Sequence, residues 1–552
     1  MLKENLIRIY EKSFRDNHAR MALSDYLTKE NYSYMEMAQE IAKLHLLFEK
    51  YGVEAGDKVA LVGRNSVRWV ITYMATITYG AVIVPILQDF RAEDMNHIIE
   101  HSESKLIFLH DNYWNGIEQE KLPLLGAAFS LNDFSCIYER EGSECTEFQK
   151  EIEKHFAARY PNGFGVEDIK YPEVPNDRLC LLNYTSGTTG FSKGVMLTVN
   201  NLTAQVVFML PLKRHFPGST TLSFLPLAHA YGCTVDMILS LAGGAHVTVL
   251  GKIPSPKILV EALQAVKPVY ICSVPLILEK VIKKQVFPKL ESGVLKYAVK
   301  IPGLNKIVYS SIRKKLITTF GGNMKDFIVG GAALDSAVED LLSKMNFPCP
   351  VGYGMTECAP LVSITLWEYG TKKHSVGQLM SLLEAKVDSP DPKNIPGELL
   401  LRGECVMMGY YKNPEVTAEV IDEDGWLHTG DMVTMDEDNF IFIKGRCKTM
   451  LLGANGQNVY PEEIEAKISN IPYVLENLVI ERDKKFYALI VPDFEQLKHD
   501  GIPAENVQGM MESAIKEVNK QIHAYEQLAG VILREEEFEK TPKKSIKRFL
   551  YN

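Results

Sequence analysis

Apolar positions in the front half of the chain follow two different periods. In YSYMEMAQEIAKLHLLFEKYGV (32–53) they return every three or four residues, which predicts an amphipathic helix stopped by Gly52. KVALVG (58–63) and KLIFLH (105–110) are continuous apolar runs of strand length, with the helical text MNHIIEHSES between them. RLCLLNYTSG, STTLSFLP, HVTVL, PVYICSV and KDFIVGG read as further core strands, each running into a loop rich in Gly, Ser or Thr. Strands alternating with helices predict an α/β architecture with mainly parallel strands, and ligands bind at the carboxyl ends of such strands. The uncharged run 69–87 has the length of a bilayer-spanning helix. Gly80, Pro85 and the β-branched text AVIVPI argue instead for a helix, a glycine turn and a buried strand.

A different organisation begins near Gly445. FIFIKGRCKTMLLGANGQNVYPEEIEAKI passes from a strand through a Gly/Asn-rich loop into a helix, with Pro461 in its first turn and Glu462 and Glu463 at its positive end. LENLVIERDKKFYALIVPD predicts two strands about a charged turn, and MMESAIKEVNKQIHAYEQL a helix. Together these make a small α+β domain of about 100 residues.

Composition narrows the class. With 552 residues, 46% hydrophobic and 24% charged, the chain can bury a large core and is neither wholly disordered nor a polytopic membrane protein. Its net charge of −10 argues against a general nucleic-acid binder. The nine cysteines form no CxxC pair and no zinc-ligand spacing, and the N-terminal text lacks the apolar centre of a signal peptide. A reduced, cytoplasmic protein is expected. The charge is uneven, however: residues 280–325 hold eleven Lys and Arg against Glu291 alone, which leaves the remainder near −20. Apolar residues interleave with these cations, the composition of a surface meeting anionic lipid headgroups, although an ordinary solvated helix face has the same signature. Peripheral contact with the inner membrane face is the corresponding expectation.

The densest chemical signal is YTSGTTGFSKG (184–194), set directly after the strand RLCLLN. Its hydroxyls, exposed backbone N–H groups and Lys193 are what cradling a polyphosphate requires. It is not a Walker loop, because Lys193 is preceded by Ser192 and followed by Gly194. Further on come FLPLAHAYG (224–232), IVGGAAL (328–334), GYGMTE (352–357), GELLLRG (397–403), GYYKNPE (409–415), WLHTGD (426–431) and GRCKTMLLGANGQNVYPEEIE (445–465). In this order, and from about residue 25 to the end, the chain resembles the adenylate-forming superfamily of acyl-CoA synthetases, luciferases and peptide-synthetase adenylation domains. Within it the chain looks most like long-chain fatty-acyl-CoA synthetases.

That resemblance implies a reaction in two steps, with ATP, Mg²⁺ and CoA. ATP and a carboxylic acid give acyl-AMP and pyrophosphate, and the CoA thiol then displaces AMP. It implies that Lys193, with Thr185, Ser186, Gly187, Thr188, Thr189 and Gly190, holds the β- and γ-phosphates. Glu357 would bind Mg²⁺, with Thr188 as second ligand or as a water-bridged contact. Tyr353 would stack on adenine beside Gly354, backed by Gly331 and Ala332, and Thr356 would reach the α-phosphate. Asp431 would accept the ribose hydroxyls with Arg446 beside it, and His229 would lie near the substrate carboxylate. Lys448 would be the hinge between a large multilayer domain of α/β subdomains (1–447) and a small mobile α+β lid (448–552).

One segment departs from the family pattern. The C-terminal motif usually reads TPTGKIKR, and here residues 541–548 read TPKKSIKR, with Ser545 where the lysine belongs. Either Lys544 or Lys543 supplies that cation from a shifted loop, Lys544 being favoured, or the first step is slow. The expected activity is therefore fatty acid–CoA ligation. The alternatives are a carrier-protein thiol acceptor, a non-fatty acid, and a catalytically impaired nucleotide-binding protein. Acyl chain length and oligomeric state are not encoded in any of these patterns.

Overall fold

A computed structural model describes residues 1–141, 144–185, 192–251, 255–366, 370–452, 458–483, 485–541 and 546–551. Two α/β sheets dominate the first 330 residues. The larger runs, in spatial order, Gly409–Tyr410, Lys193–Thr198, Leu179–Thr185, Val82–Ile86, Lys58–Val62, Ser104–Leu109, Ala127–Ser130 and Cys136–Glu139. Its middle is parallel, and Lys193–Thr198 and Cys136–Glu139 pair antiparallel at its ends. The second sheet places Asp326–Val329, Tyr270–Ser273, Thr220–Ser223, His246–Val249 and Met21–Asp25 in parallel, closed by antiparallel Asn31–Ser33.

Local chemistry explains the elements the sequence predicts. Ser33 caps the helix Tyr34–Tyr51 in a reciprocal box with Glu36, and Gly52 ends it at φ 71°. The run 69–87 resolves into the helix Val67–Tyr79, a turn at Gly80 with φ 92°, and the strand Val82–Ile86, every residue of which is buried. Three Thr side chains of that helix, Thr72, Thr76 and Thr78, return their hydroxyls to carbonyls one turn back, which satisfies these three buried groups within the helix. Among the described residues no helix is long and apolar enough to cross a membrane.

An antiparallel sheet follows, ordered Leu383–Asp388, Gly397–Gly403, Leu427–Met435 and Ile441–Arg446. The C-terminal part folds Val474–Arg482, Lys485–Pro492 and Leu528–Leu533 into a sheet flanked by the helices Pro461–Ile468 and Ala504–Asn519. Its two apolar clusters draw only on residues after 450. A large α/β region followed by a small α+β one is the architecture the sequence predicts.

Candidate active site

One cavity of about 1350 Å³ takes walls from all the sheets of the large region. Thr185 and Lys193 reach it from the facing ends of two strands of the larger sheet; residues 224–235 and Gly330 with Gly331 reach it from loops after strands of the second. Thr429, Gly430 and Arg446 come from the antiparallel sheet. These are largely strand carboxyl ends, where the α/β pattern directs a ligand.

The register of the antiparallel sheet sets the polar end. Asp431 lies directly across from Arg446 on the neighbouring strand. Arg446 Nη1 donates to Asp431 Oδ1 at 2.7 Å, and the Tyr353 hydroxyl donates to Asp431 Oδ2 at 2.5 Å. Asp431 is only 5% exposed, so burial pushes its carboxyl above the usual carboxylate range while the Arg446 cation and the Tyr353 hydroxyl pull it back. Burial and the adjacent carboxylate hold the Tyr353 phenol well above its ordinary value, so it stays a donor.

Of the residues expected from sequence, Thr185, Lys193, His229, Gly331, Tyr353, Gly354, Thr356, Glu357, Arg446 and Lys448 line this cavity. Asp431 stands behind Tyr353 and Arg446. Ala332 is exposed beside Gly331 and is not part of the wall. Ser186, Gly187, Thr188, Thr189, Gly190 and Lys544 lie outside the described residues. His229 precedes the helical run 230–242, and its Nδ1 accepts the Tyr231 N–H at 3.3 Å. That bond puts the proton of a neutral imidazole on Nε2.

A match to the AMP-binding enzyme model covers residues 10–411, and one to the AMP-binding enzyme C-terminal domain covers 448–551. The chain belongs to the AMP-binding enzyme family. Among its curated relatives, rat long-chain-fatty-acid–CoA ligase 5 is 29% identical over 488 residues, 82% of this chain and 69% of that one. The long-chain-fatty-acid–CoA ligase of Escherichia coli O157:H7 is 28% identical over 77% of this chain and 74% of that one. The fold matches ATP-bound MatB from Rhodopseudomonas palustris with a TM-score of 0.76 at 21% identity, covering 99% and 98% of the two chains. The Mycobacterium tuberculosis fatty acyl CoA synthetase gives 0.64 at 20% identity over 99% and 97%.

Three features of this AMP-binding enzyme's site are not apparent from its sequence. The Tyr410 hydroxyl donates to Glu357 Oε1 at 2.9 Å, and Lys193 Nζ sits 5.1 Å from the centre of the same ring. One tyrosine thus spaces the cation from the acid that would otherwise pair with it. Glu398 accepts the Gly430 N–H at 2.9 Å and contacts His428 Nδ1 at 2.9 Å, which fixes the stretch of strand carrying Asp431. Tyr231 donates to the Ile328 carbonyl at 3.2 Å and walls the cavity between strand ends. Tyr410, Tyr231 and Glu398 all fall inside the recognised motifs, so their position was a signal even though their partners were not.

Proposed function

We propose that this enzyme is a fatty acid–CoA ligase, converting ATP and a long-chain acid to acyl-AMP and pyrophosphate and then passing the acyl group to CoA. The observation that carries this reading is a single cavity with two unlike ends. Lys193, Tyr353 and Arg446 give it a polar end suited to a nucleotide, and Leu259, Leu263, Ile277, Val281 and Phe320 give it an apolar arm suited to an alkyl chain.

In the first step a carboxylate oxygen attacks the α-phosphorus and the bond to pyrophosphate breaks. Lys193 offsets the charge on the departing pyrophosphate, whose oxygens Thr185 and residues 186–190 hold. Thr356 donates to the α-phosphate, Asp431 accepts the ribose hydroxyls beside Arg446, and Tyr353 meets adenine next to Gly331 and Gly354. His229, with its proton on Nε2, donates to the substrate carboxylate and orients it. Lys544 supplies the cation that Ser545 cannot. Glu357 lines the cavity, and its carboxylate is a hard oxygen ligand that suits Mg²⁺, for which Thr188 would be a further ligand; the ion would neutralise phosphate charge there. In the second step the CoA sulfur attacks the acyl carbon and AMP leaves with the bonding electrons, after a lid rotation about Lys448.

The test is pyrophosphate release over a fatty-acid series, with and without CoA. Release that requires a long-chain acid and turns over repeatedly only with CoA is expected. Absence of release with every acid would leave an impaired nucleotide-binding protein. Ser545→Lys, run in parallel, is expected to change the rate by less than a few-fold; a gain on the order of a hundredfold would mean that neither Lys544 nor Lys543 replaces the missing cation.

A further inference from the structure

Thr185 and Lys193 stand opposite each other at the facing ends of the strands Leu179–Thr185 and Lys193–Thr198, and both line the cavity. The next pair in the register, Tyr184 with Gly194, faces the other way, because side chains alternate across a sheet. At Gly194 the Tyr184 ring takes the place of a side chain: a Cβ there would stand 3.1 Å from the Tyr184 Cζ and 3.0 Å from Leu182 Cδ1. Tyr184 is 2% exposed and lines no part of the cavity. What holds it from behind therefore decides how firmly the front of this strand pair is placed.

His101, in the last turn of the helix Ala92–Ser102, does so. Its Nδ1 lies 2.7 Å from the Tyr184 hydroxyl, and the two rings meet edge to face with centres 5.9 Å apart. Burial holds the Tyr184 phenol well above its ordinary value, so the hydroxyl keeps its proton and donates. Burial, then His97 and Lys412, push the His101 imidazole below the usual histidine range against the opposite pull of Glu103, so the ring is neutral at pH 7 and Nδ1 accepts. The helix end is in turn clamped to the segment after the strand Gly409–Tyr410. Lys412 Nζ donates to the His101 carbonyl at 3.1 Å and pairs with Glu103 at 2.9 Å, and the Tyr411 hydroxyl donates to Glu103 Oε2 at 3.2 Å. The Tyr411 N–H bonds the Gly194 carbonyl at 2.8 Å. These contacts close a circuit from His101 through Tyr184 and Gly194 to Tyr411, and back through Glu103 and Lys412 to the His101 carbonyl. Thr185 and Lys193 are each one residue away from it. The Lys412–Glu103 pair is partly exposed and adds about 0–1 kcal/mol, so the bond to the buried Tyr184 hydroxyl is the contact whose loss would be felt most.

We propose that His101 is a positioning residue for adenylation: by holding Tyr184 behind the strand pair, it sets where Thr185 and Lys193 stand in front of it, and so how the enzyme grips the β- and γ-phosphates of ATP. This rests on the phosphate role given to Thr185 and Lys193 above. His101 itself lines no part of the cavity and acts only through Tyr184. AMP lacks both phosphates, so its binding does not depend on the circuit, whereas a histidine that merely filled space in the fold would favour neither nucleotide.

The experiment measures MgATP and AMP binding to the full chain by titration calorimetry, without a carboxylic acid. His101→Leu removes the acceptor. Tyr184→Phe removes the donor and keeps the ring against Gly194, so it carries the comparison if His101→Leu fails to fold. His101→Asn puts an amide oxygen near the place of Nδ1. The Leu and Phe variants are each expected to weaken MgATP about tenfold and to leave AMP within about twofold. Their double variant should bind MgATP within about twofold of either single one, because one bond can be lost only once. His101→Asn should recover MgATP binding to within about threefold of wild type. Equal losses for MgATP and AMP, single losses that multiply in the double variant, or an Asn variant no better than the Leu one would each overturn the positioning role. Lys193→Ala, run beside them, should weaken MgATP at least as much and spare AMP. If Lys193→Ala does so while His101→Leu and Tyr184→Phe bind MgATP as wild type does, the positioning role alone fails. If His101→Leu and Tyr184→Phe weaken MgATP and Lys193→Ala does not, the circuit stands, acting through Thr185, and the phosphate role of Lys193 is what fails.

Discussion

Asp431 and Asp236 are both buried carboxyl groups, and the difference between them lies in their partners. Asp431 has a guanidinium on one oxygen and a phenol on the other, which offset its desolvation. Asp236 is fully buried in a wide helical turn, Cys233–Ile238, and neither of its oxygens meets a cation. Burial pushes its carboxyl up to about 7, with the Cys272 thiol and the Ser223 hydroxyl offsetting only part of that. The other groups that face it, Tyr231, Tyr270 and Cys233, carry no positive charge. The folded protein therefore holds this proton more tightly than the unfolded chain, whose Asp titrates near 3.8. The stability tied to the group is fully present below about pH 4 and is lost as pH rises to about 7, a difference of about 4 kcal/mol. Asp236→Asn keeps the shape and removes the charge. It is expected to raise the melting temperature by a few degrees near pH 8 and to leave it unchanged near pH 4. Thermal unfolding at the two pH values measures this, and an equal shift at both would point to packing instead of ionisation.

At the scale of elements, the short strand Gly352–Gly354 shows how tightly the nucleotide end is built. It pairs antiparallel with Leu361–Ile364, with an irregularity between Tyr353 and Gly354. A Cβ on Gly354 would meet the Pro360 carbonyl oxygen at 2.0 Å, a contact that backbone must move to relieve. Gly354→Ala should displace the segment carrying Thr356 and Glu357, raising the KM for ATP about tenfold or more in initial-rate measurements. An unchanged KM would mean the segment absorbs the methyl elsewhere. The strands that meet at this site were legible in sequence wherever both faces are buried, as in Val82–Ile86 or Tyr270–Ser273, because such strands read as unbroken apolar runs. Leu383–Asp388 exposes alternate residues and carries Glu384 and Lys386, so its text LEAKVD gave no such run. Of its sheet only FIFIKG was read as a strand, so the pairing that sets Asp431 opposite Arg446 went unread. Pairings of that kind join residues far apart in the chain, as Tyr410 joins Lys193 to Glu357, and no local pattern encodes them. The glycine turn at 80 was legible because its left-handed backbone demands glycine.

The whole molecule consists of a large region and a C-terminal one with its own apolar clusters, and what joins them bears on the second half-reaction. Polar contacts across the junction, such as Lys283 to Asn470 at 3.2 Å and Lys444 to Glu463 at 3.2 Å, involve partly exposed side chains. Contacts of this kind are worth about 0–1 kcal/mol each, too little to lock the two regions in one arrangement. The covalent link between them passes through Lys448, which is exposed and lines the cavity between the strand Ile441–Arg446 and the hairpin begun by Leu451–Leu452. Its neighbours are held: Cys447 N–H bonds the Gly430 carbonyl at 2.8 Å, and Thr449 N–H bonds the Arg446 carbonyl at 3.2 Å. On the proposed mechanism, a rotation of the C-terminal region would be absorbed by few dihedral angles, those of Lys448 foremost. Proline at this position fixes φ near −65° and so permits at most one of two lid arrangements. Lys448→Pro is expected to keep ATP–pyrophosphate exchange within a few-fold of wild type and to slow thioester formation at least about a hundredfold. If rotation at this residue is what separates the two half-reactions, they must respond unequally; matched losses in exchange and in CoA transfer would mean that Lys448 serves the cavity as a side chain and that the lid turns elsewhere.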